Sequence, residues 1–205
     1  MHISEGVLSV PVLVSGAILS AGGVFYGLKK MDNENVPKAA LLTAAFFVAA
    51  LVHVPLGPSS VHLTLNGILG LVLGWMVFPS VFVALFLQAL LFQFGGFTTI
   101  GVNTLIMASP GLIVYYLLRG YIKSKNFYVV FTSGLIAGFL SILLSTLLLS
   151  LSLAISAPEH LGIAKVIMLS HVPVMFTEGI ISAFCITFIK KVKPEIFEIC
   201  QDSVL

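Results

Sequence analysis

Residues 127–155 read FYVVFTSGLIAGFLSILLSTLLLSLSLAI, and no charged side chain interrupts them. An apolar stretch of about 18 or more residues with few charges is typical of a helix that spans a membrane. The rest of the chain is similar, since 59% of its residues are hydrophobic and only 9% are charged, against roughly 25% charged residues in soluble domains. The sequence therefore predicts an integral membrane protein made of α-helices.

Short polar or Pro- and Gly-containing breaks divide the chain into apolar segments. Pro37 suits the first turn of a helix, and Pro79-Ser80 predicts a tight turn between two short segments. We expect a single transmembrane domain, residues 1–205, with an all-α polytopic bundle of about seven transmembrane helices. The predicted spans are 9–28, 37–54, 61–78, 79–94, 100–118, 127–155 and 163–189.

The positions of lysine and arginine predict the orientation, because these residues accumulate on the cytoplasmic side. With the N-terminus outside and the C-terminus cytoplasmic, Lys165 alone of the 10 falls outside. The residues that fall inside are Lys29, Lys30, Lys38, Arg119, Lys123, Lys125, Lys190, Lys191 and Lys193. The same orientation requires an odd number of spans.

Other sequence features narrow the class of protein. A net charge of +2 gives no indication of a nucleic-acid partner. Cys185 and Cys200 form no metal or redox motif. The N-terminus lacks the basic region of a secretory signal, so Met1 is expected to be the working N-terminus.

The histidines of this topology all lie in its outer half: His2, His53, His62, His160 and His171. Histidine is the commonest metal ligand, and polar groups inside a membrane mark substrate paths because their burial is costly. One histidine at a helix end is more often an interfacial residue. The cluster as a whole favours a metal or cation site.

The N-terminus strengthens this prediction. Met1 and His2 offer an amine, the following amide nitrogen and an imidazole, which can close fused chelate rings about one ion. This leaves one in-plane position, which His62 can fill, and such nitrogen coordination suits nickel or copper. Any Met-His start satisfies the first part, so the argument depends on the outer cluster. Because an amide must lose its proton, binding should fail at low pH.

Further polar residues have less certain roles. His171 and Glu178 are seven apart and share one helix face. Glu178 is the only carboxylate well inside a span, which makes it a functional candidate or a hydrogen-bonded structural acid. Glu5 is predicted to hydrogen-bond His2 or the N-terminal turn. His53 is expected to support the site or lie at the interface, and His160 to be a solvated loop residue.

Separate motifs in the first half of the chain resemble those of a known family. They are MHISEG at 1–6, PLGPSSVH at 55–62 with GILG at 67–70, and QALLF at 88–92 followed by GG at 95–96 and GVN at 101–103. They are similar to the opening, the small-residue loop and the QALLF…GG…GAN signature of the CbiM/NikM family. Members of this family are the cobalt and nickel substrate-binding (S) components of energy-coupling-factor transporters. Ser4, Pro58 and Val102 differ from common family residues and leave cobalt versus nickel open.

The resemblance implies an S component in the inner (plasma) membrane that takes Co²⁺ or Ni²⁺ from outside as its transported ligand, with no prosthetic group. The implied partners are the lipid bilayer, a transmembrane coupling protein, cytoplasmic ATPase subunits and any small accessory membrane subunit on a separate chain. The family's metal ligands correspond to Met1, His2 and His62. Asn103 matches a polar position that supports them or forms a structural turn.

Two other classes of protein stay open. An ion-coupled secondary metal-cation carrier would work without ATPases, and such carriers often show paired repeats, broken helices and buried acids. An intramembrane enzyme or haem protein is the other class, although HExxH is absent and the histidines crowd one end. The chain also lacks GxxxxGK[ST], the loop that binds nucleotide phosphates. It is therefore predicted to be a transporter subunit without its own ATPase, and not an enzyme.

Overall fold

A computed structural model describes residues 2–51, 53–56, 59–157 and 159–197, with side chains at all of these except 53–56, 59–61 and 160–161. This part of the chain is a helical bundle with one β-hairpin. Its elements are α1 (Val10–Lys29), α2 (Val36–Leu51), β1 (His53–Leu56), β2 (Ser59–His62), α3 (Asn66–Leu73), α4 (Val77–Phe92), α5 (Ile100–Ile122), α6 (Phe127–Ser156), α7 (His160–Ser170) and α8 (Val172–Val192). Two 3₁₀ turns, Gly74–Met76 and Pro194–Phe197, complete it.

Five helical segments of the described chain are long and apolar enough to cross a membrane. They are Val10–Lys29, Asn66–Phe92, Ile100–Ile122, Phe127–Ser156 and Gly162–Val192. The apolar helix α2 is shorter. The predicted membrane helix bundle is thus confirmed, while the number of seven helices and the orientation stay predictions.

The chain reverses direction between α3 and α4. Gly74, just after α3, packs against Tyr115 near the far end of α5, and Pro79 packs against Gly27 near the far end of α1. The loop after α4 then returns to the N-terminal segment, where Thr98 contacts Glu5. Asn66–Phe92 is therefore two helices that run in opposite directions, despite its continuous hydropathy.

The predicted turn at Pro79-Ser80 is wrong, because the break lies at Gly74–Met76. Gly74 has a φ of +53°, a conformation that glycine adopts without steric cost and that ends α3. Pro79 lies in the first turn of α4, where the missing N–H removes no helical hydrogen bond.

A β-hairpin replaces the predicted helical residues on either side of 55–60. β1 and β2 pair antiparallel, with His53 opposite His62. His53 is therefore in a strand and not at the end of the second helix. The third helix begins at Asn66 and not at residue 61, since Leu65 before it has a φ of +51°.

The seventh predicted span is broken at His171, which separates α7 from α8. Pro173 is the second residue of α8, where a proline is tolerated, whereas within one continuous helix it would remove a hydrogen bond and clash with the carbonyl four residues before it. His160, predicted as a loop residue, is the first residue of α7.

Glycines let the inner helices approach closely. Every residue of α3 is buried, and a Cβ at Gly70 would overlap the Gly111 carbonyl of α5. On another face, a Cβ at Gly138 of α6 would overlap the carbonyl of Glu178 in α8. Small residues at helix contacts let backbones meet in this way. This packing fixes α3 against α5 and α6 against α8.

Candidate metal site

Asn103, one turn into α5, holds the residue that follows His2. Its Oδ1 accepts a hydrogen bond from the Ile3 N–H at 2.9 Å, and its Nδ2 donates to the Ile3 carbonyl at 3.1 Å. A side-chain amide carries both a donor and an acceptor and so can pair with both backbone groups. Ile3 and Asn103 are both buried. The N-terminal segment is thus fixed in the bundle immediately after His2.

Thr99 reinforces this contact. Its hydroxyl lies 3.0 Å from the Ile3 carbonyl oxygen, to which it donates, and it accepts from Asn103 Nδ2 at 3.2 Å. Thr99 is not among the site residues predicted from the sequence. The signal was present, because a residue four positions before Asn103 lies on the same helix face.

His2 and His62 lie side by side. Their ring centroids are 4.7 Å apart with an interplanar angle of 24°, and the His2 ring lies 6.3 Å from that of Phe94. His2 is 5% exposed and His62 is 3% exposed. The structure therefore brings together two of the three predicted metal ligands. The third, Met1, lies outside the described residues.

The His62 imidazole is held in one tautomer. Its Nδ1 lies 3.0 Å from the Leu63 carbonyl, which can only accept, so Nδ1 carries the proton and Nε2 the lone pair. Burial, with further contributions from the nearby His2 and His171, holds the pKa of His62 well below its usual value. The ring is consequently neutral near pH 7, the form in which imidazole binds metals.

His171 is fully buried at the break between α7 and α8. Its Nδ1 lies 2.7 Å from the Ile167 carbonyl, so here too the proton is on Nδ1. Its Nε2 has no hydrogen-bond partner within the described chain. A positive charge on His171 would further lower the pKa of His62.

Glu178 of α8 is fully buried and contacts the segment that follows His62. Its Oε1 accepts from the backbone N–H groups of Thr64 and Leu65, the latter at 2.8 Å, and from the Thr64 hydroxyl at 3.4 Å. Its Oε2 has no partner among the residues that the structure describes. The sequence indicated the acid but carries no signal for backbone partners.

The remaining candidates have other partners or lie outside the described side chains. Glu5 Oε1 accepts from the Thr98 N–H at 3.1 Å and ties the N-terminal segment to the loop after α4. The predicted contact of Glu5 with His2 stays a prediction. The side chains of His53 and His160 are not among those that the structure describes. Over the described residues, no three side chains of His, Cys, Asp or Glu are arranged to hold a metal ion.

Comparison with known proteins identifies relatives along nearly the full chain. The family CbiM, described as the cobalt uptake substrate-specific transmembrane region, matches residues 2–196. A putative metal transport protein of Haemophilus influenzae is 42% identical over 201 residues, which cover 96% of each chain. The cobalt transport protein CbiM of Clostridium tetani is 30% identical over 217 residues, 97% of this chain and 88% of that protein.

Solved structures share the fold. A transition metal transporter matches all of both chains with a TM-score of 0.77 and 22% identity. A truncated transition metal transporter matches 95% of this chain and 99% of its own with a TM-score of 0.73 and 24% identity. The family match and the relatives together show that this chain belongs to the CbiM family of cobalt-uptake transmembrane components, which are parts of transporters and not enzymes.

Proposed function

We propose that this chain is the substrate-binding S component of an ATP-driven importer of Co²⁺ or Ni²⁺, and that it captures the ion at its N-terminus on the outer side of the inner (plasma) membrane. The observation that carries the proposal is the buried pair of His2 and His62 rings, 4.7 Å apart, beside an Ile3 whose backbone is held by Asn103.

The proposed ligands are four nitrogens: the amine of Met1, the amide and imidazole of His2, and Nε2 of His62. The described residues hold no group of three metal-binding side chains, and the proposed set draws its further ligands from the backbone. The hydrogen bonds to Ile3 support this set, because they order the peptide next to the chelate. Tetragonal nitrogen coordination suits nickel, while the family description names cobalt uptake.

The fold supports seven crossings with the N-terminus outside. We count α1, α2, the short α3, α4, α5, α6 and the α7–α8 pair, since α3 and α4 run in opposite directions. The basic residues at the ends of α1, α5 and α8 lie away from the histidine pair: Lys29, Lys30, Arg119, Lys190 and Lys191. Such a concentration is typical of the cytoplasmic side.

The energy for import is proposed to come from partners. A transmembrane coupling protein and cytoplasmic ATPase subunits would deliver the ion inward, with an accessory membrane subunit on a separate chain. Uptake in cells should then require those subunits. Uptake by the purified chain alone in liposomes, driven by an ion gradient without ATP, would instead establish a secondary carrier.

Calorimetric titration with Ni²⁺ and Co²⁺ tests the site directly. The native chain is compared with a variant that carries two alanines ahead of Met1. Two are needed because one added residue would make His2 the third residue, where the amine, two amides and the imidazole form a different four-nitrogen chelate. A variant with two alanines after Leu205 is the control.

We expect tight binding by the native chain and the control, and a loss of at least about 100-fold in the N-terminal variant, since three of the four ligands are displaced. Equal binding by all three proteins would place the site on side chains alone. Absence of binding by the native chain would overturn metal capture.

A further inference from the structure

Glu178 is a buried acid that the proposed ligand set does not use. It lies in α8, yet its carboxylate contacts the chain just after β2, at Thr64 and Leu65. We propose that Glu178 is the positioning residue for His62: by holding the segment that follows His62 against α8, it sets where that imidazole lies in the metal site. This inference rests on the proposed function.

Glu178 holds the backbone at Thr64 and Leu65. One carboxylate oxygen accepts two successive amide N–H groups, which fixes the peptide between them. Leu65 there has φ +51° and ψ +21°, a left-handed conformation that is unfavourable for an L-residue with a side chain. A leucine keeps such a conformation only where its surroundings impose it. The carboxylate of Glu178 supplies that constraint.

The helix that carries Glu178 packs tightly against α6. The Glu178 carbonyl lies so close to Gly138 of α6 that a Cβ there would overlap it. One turn further along, Gly134 packs in the same way against the backbone of Ala183. Because α6 and α8 have no room to slide past each other, the position of Glu178 is fixed by the core.

The residues that Glu178 holds are close to His62 along the chain. Only Leu63 lies between His62 and Thr64, so the two are at most about 7 Å apart along the chain. Thr64 is fully buried and contacts Glu178 through both its N–H and its hydroxyl. Leu63 in turn provides the carbonyl that fixes the His62 tautomer. A shift of this segment would therefore move Nε2 of His62 away from the ion.

The test compares two substitutions of similar size. E178Q keeps a carbonyl oxygen that can accept both N–H groups, whereas E178M fills the space without an acceptor. S182A, at a buried position of the same helix, is the matched control because it alters α8 packing away from residues 62–65. Each is titrated with Ni²⁺, and the visible ligand-field absorption of the bound ion is recorded beside that of H62A and of the double variant H62A/E178M.

We expect E178Q and S182A to bind within about threefold of the native chain, and E178M to weaken binding by about 10- to 100-fold. The absorption of nickel-loaded E178M should move to that of H62A, because the same in-plane ligand is lost. The double variant should bind no more weakly than H62A alone, since coupled residues are not additive. Native affinity and absorption in E178M, or additive losses in the double variant, would overturn the proposal.

Amide hydrogen exchange across residues 62–66 gives a readout that does not need metal. Protection of the Thr64 and Leu65 amides should fall in E178M and persist in E178Q. If E178M does not fold, E178D provides the same comparison, because its carboxylate is one methylene too short to reach both amides. A native chain that binds no metal would overturn the proposed function and this inference together, whereas native binding with unchanged variants would overturn the inference alone.

Discussion

Replacement of Asn103 by leucine tests whether the clamp on Ile3 prepares the metal site. Asn103→Leu removes both hydrogen bonds to the Ile3 backbone. The Ile3 carbonyl keeps the Thr99 hydroxyl, but the buried Ile3 N–H loses the acceptor that Asn103 provides. A buried, unsatisfied N–H costs about 1–3 kcal/mol. In the metal-free variant the N-terminal segment escapes this cost by moving into water, so the cost returns when the ion binds.

The expected result is a rise in the dissociation constant for Ni²⁺ of about 30-fold, which corresponds to about 2 kcal/mol. Calorimetry, or competition with a coloured chelator, measures it in detergent at fixed pH. Thr99→Val is the matched control: it removes one of two bonds to the Ile3 carbonyl and should weaken binding by less than about tenfold. An Asn103→Leu protein that is folded and binds Ni²⁺ as tightly as the native chain would refute the reasoning.

Three further predictions concern packing, His171 and pH. Gly70→Ala should lower the free energy of unfolding by about 1–3 kcal/mol, because its Cβ overlaps the Gly111 carbonyl. The control, Gly120→Ala, meets nothing within 4 Å and should be neutral or slightly stabilising. Equal thermal midpoints for the two variants would contradict the close contact at Gly70. His171→Leu should leave Ni²⁺ affinity within about threefold, since no proposed ligand is lost, and a larger loss by calorimetry would make His171 a ligand. Just below pH 7 the apparent affinity should fall by at least about two log units per pH unit, because the amine and the amide must each lose a proton. His62 should add nothing to this slope down to mildly acidic pH, since burial lowers its pKa well below the usual value. A titration series with a slope of about one or less would exclude the amide ligand.

Helices whose ends carry charged or capping residues could be predicted from the sequence. The segment 127–155 corresponds to α6 (Phe127–Ser156), and 9–28 corresponds to α1 (Val10–Lys29). Charged residues end α1, and Asn126 caps α6 by accepting from the Tyr128 N–H. In these places the local sequence determines where the helix begins or ends.

The region 61–80 could not be predicted in the same way, because most residues there are apolar and few polar residues mark where a helix begins or ends. The position of the reversal at Gly74–Met76 depends on contacts with distant helices, such as Gly74 with Tyr115 and Pro79 with Gly27. A glycine and a proline five residues apart are both reasonable breaks. Only tertiary packing determines that the glycine ends a helix and the proline begins one.

The candidate site shows the same division. His2 and His62 could be selected from residue type and topology, and the structure places their rings together. The partners that hold them are largely backbone groups: the Ile3 peptide for Asn103, the Thr98 N–H for Glu5, and two amides for Glu178. Every residue except proline has a backbone N–H, so the sequence does not indicate which one a buried side chain will bind.

The proposed N-terminal chelate poses a physical problem, because chain termini are ordinarily poorly ordered unless they are tied down. In this fold the residues before α1 are tied down by one short stretch, since Thr98, Thr99 and Asn103 bind Glu5 and Ile3. The N-terminal segment therefore loses its conformational entropy during folding and not during metal binding. Preorganisation of this kind raises affinity because it lowers the entropy cost of binding. The His62 side of the site is held separately, through Glu178 of α8. Contacts from two different helices thus hold the segments on either side of one buried ring pair: Asn103 of α5 holds Ile3 after His2, and Glu178 of α8 holds Thr64 and Leu65 after His62.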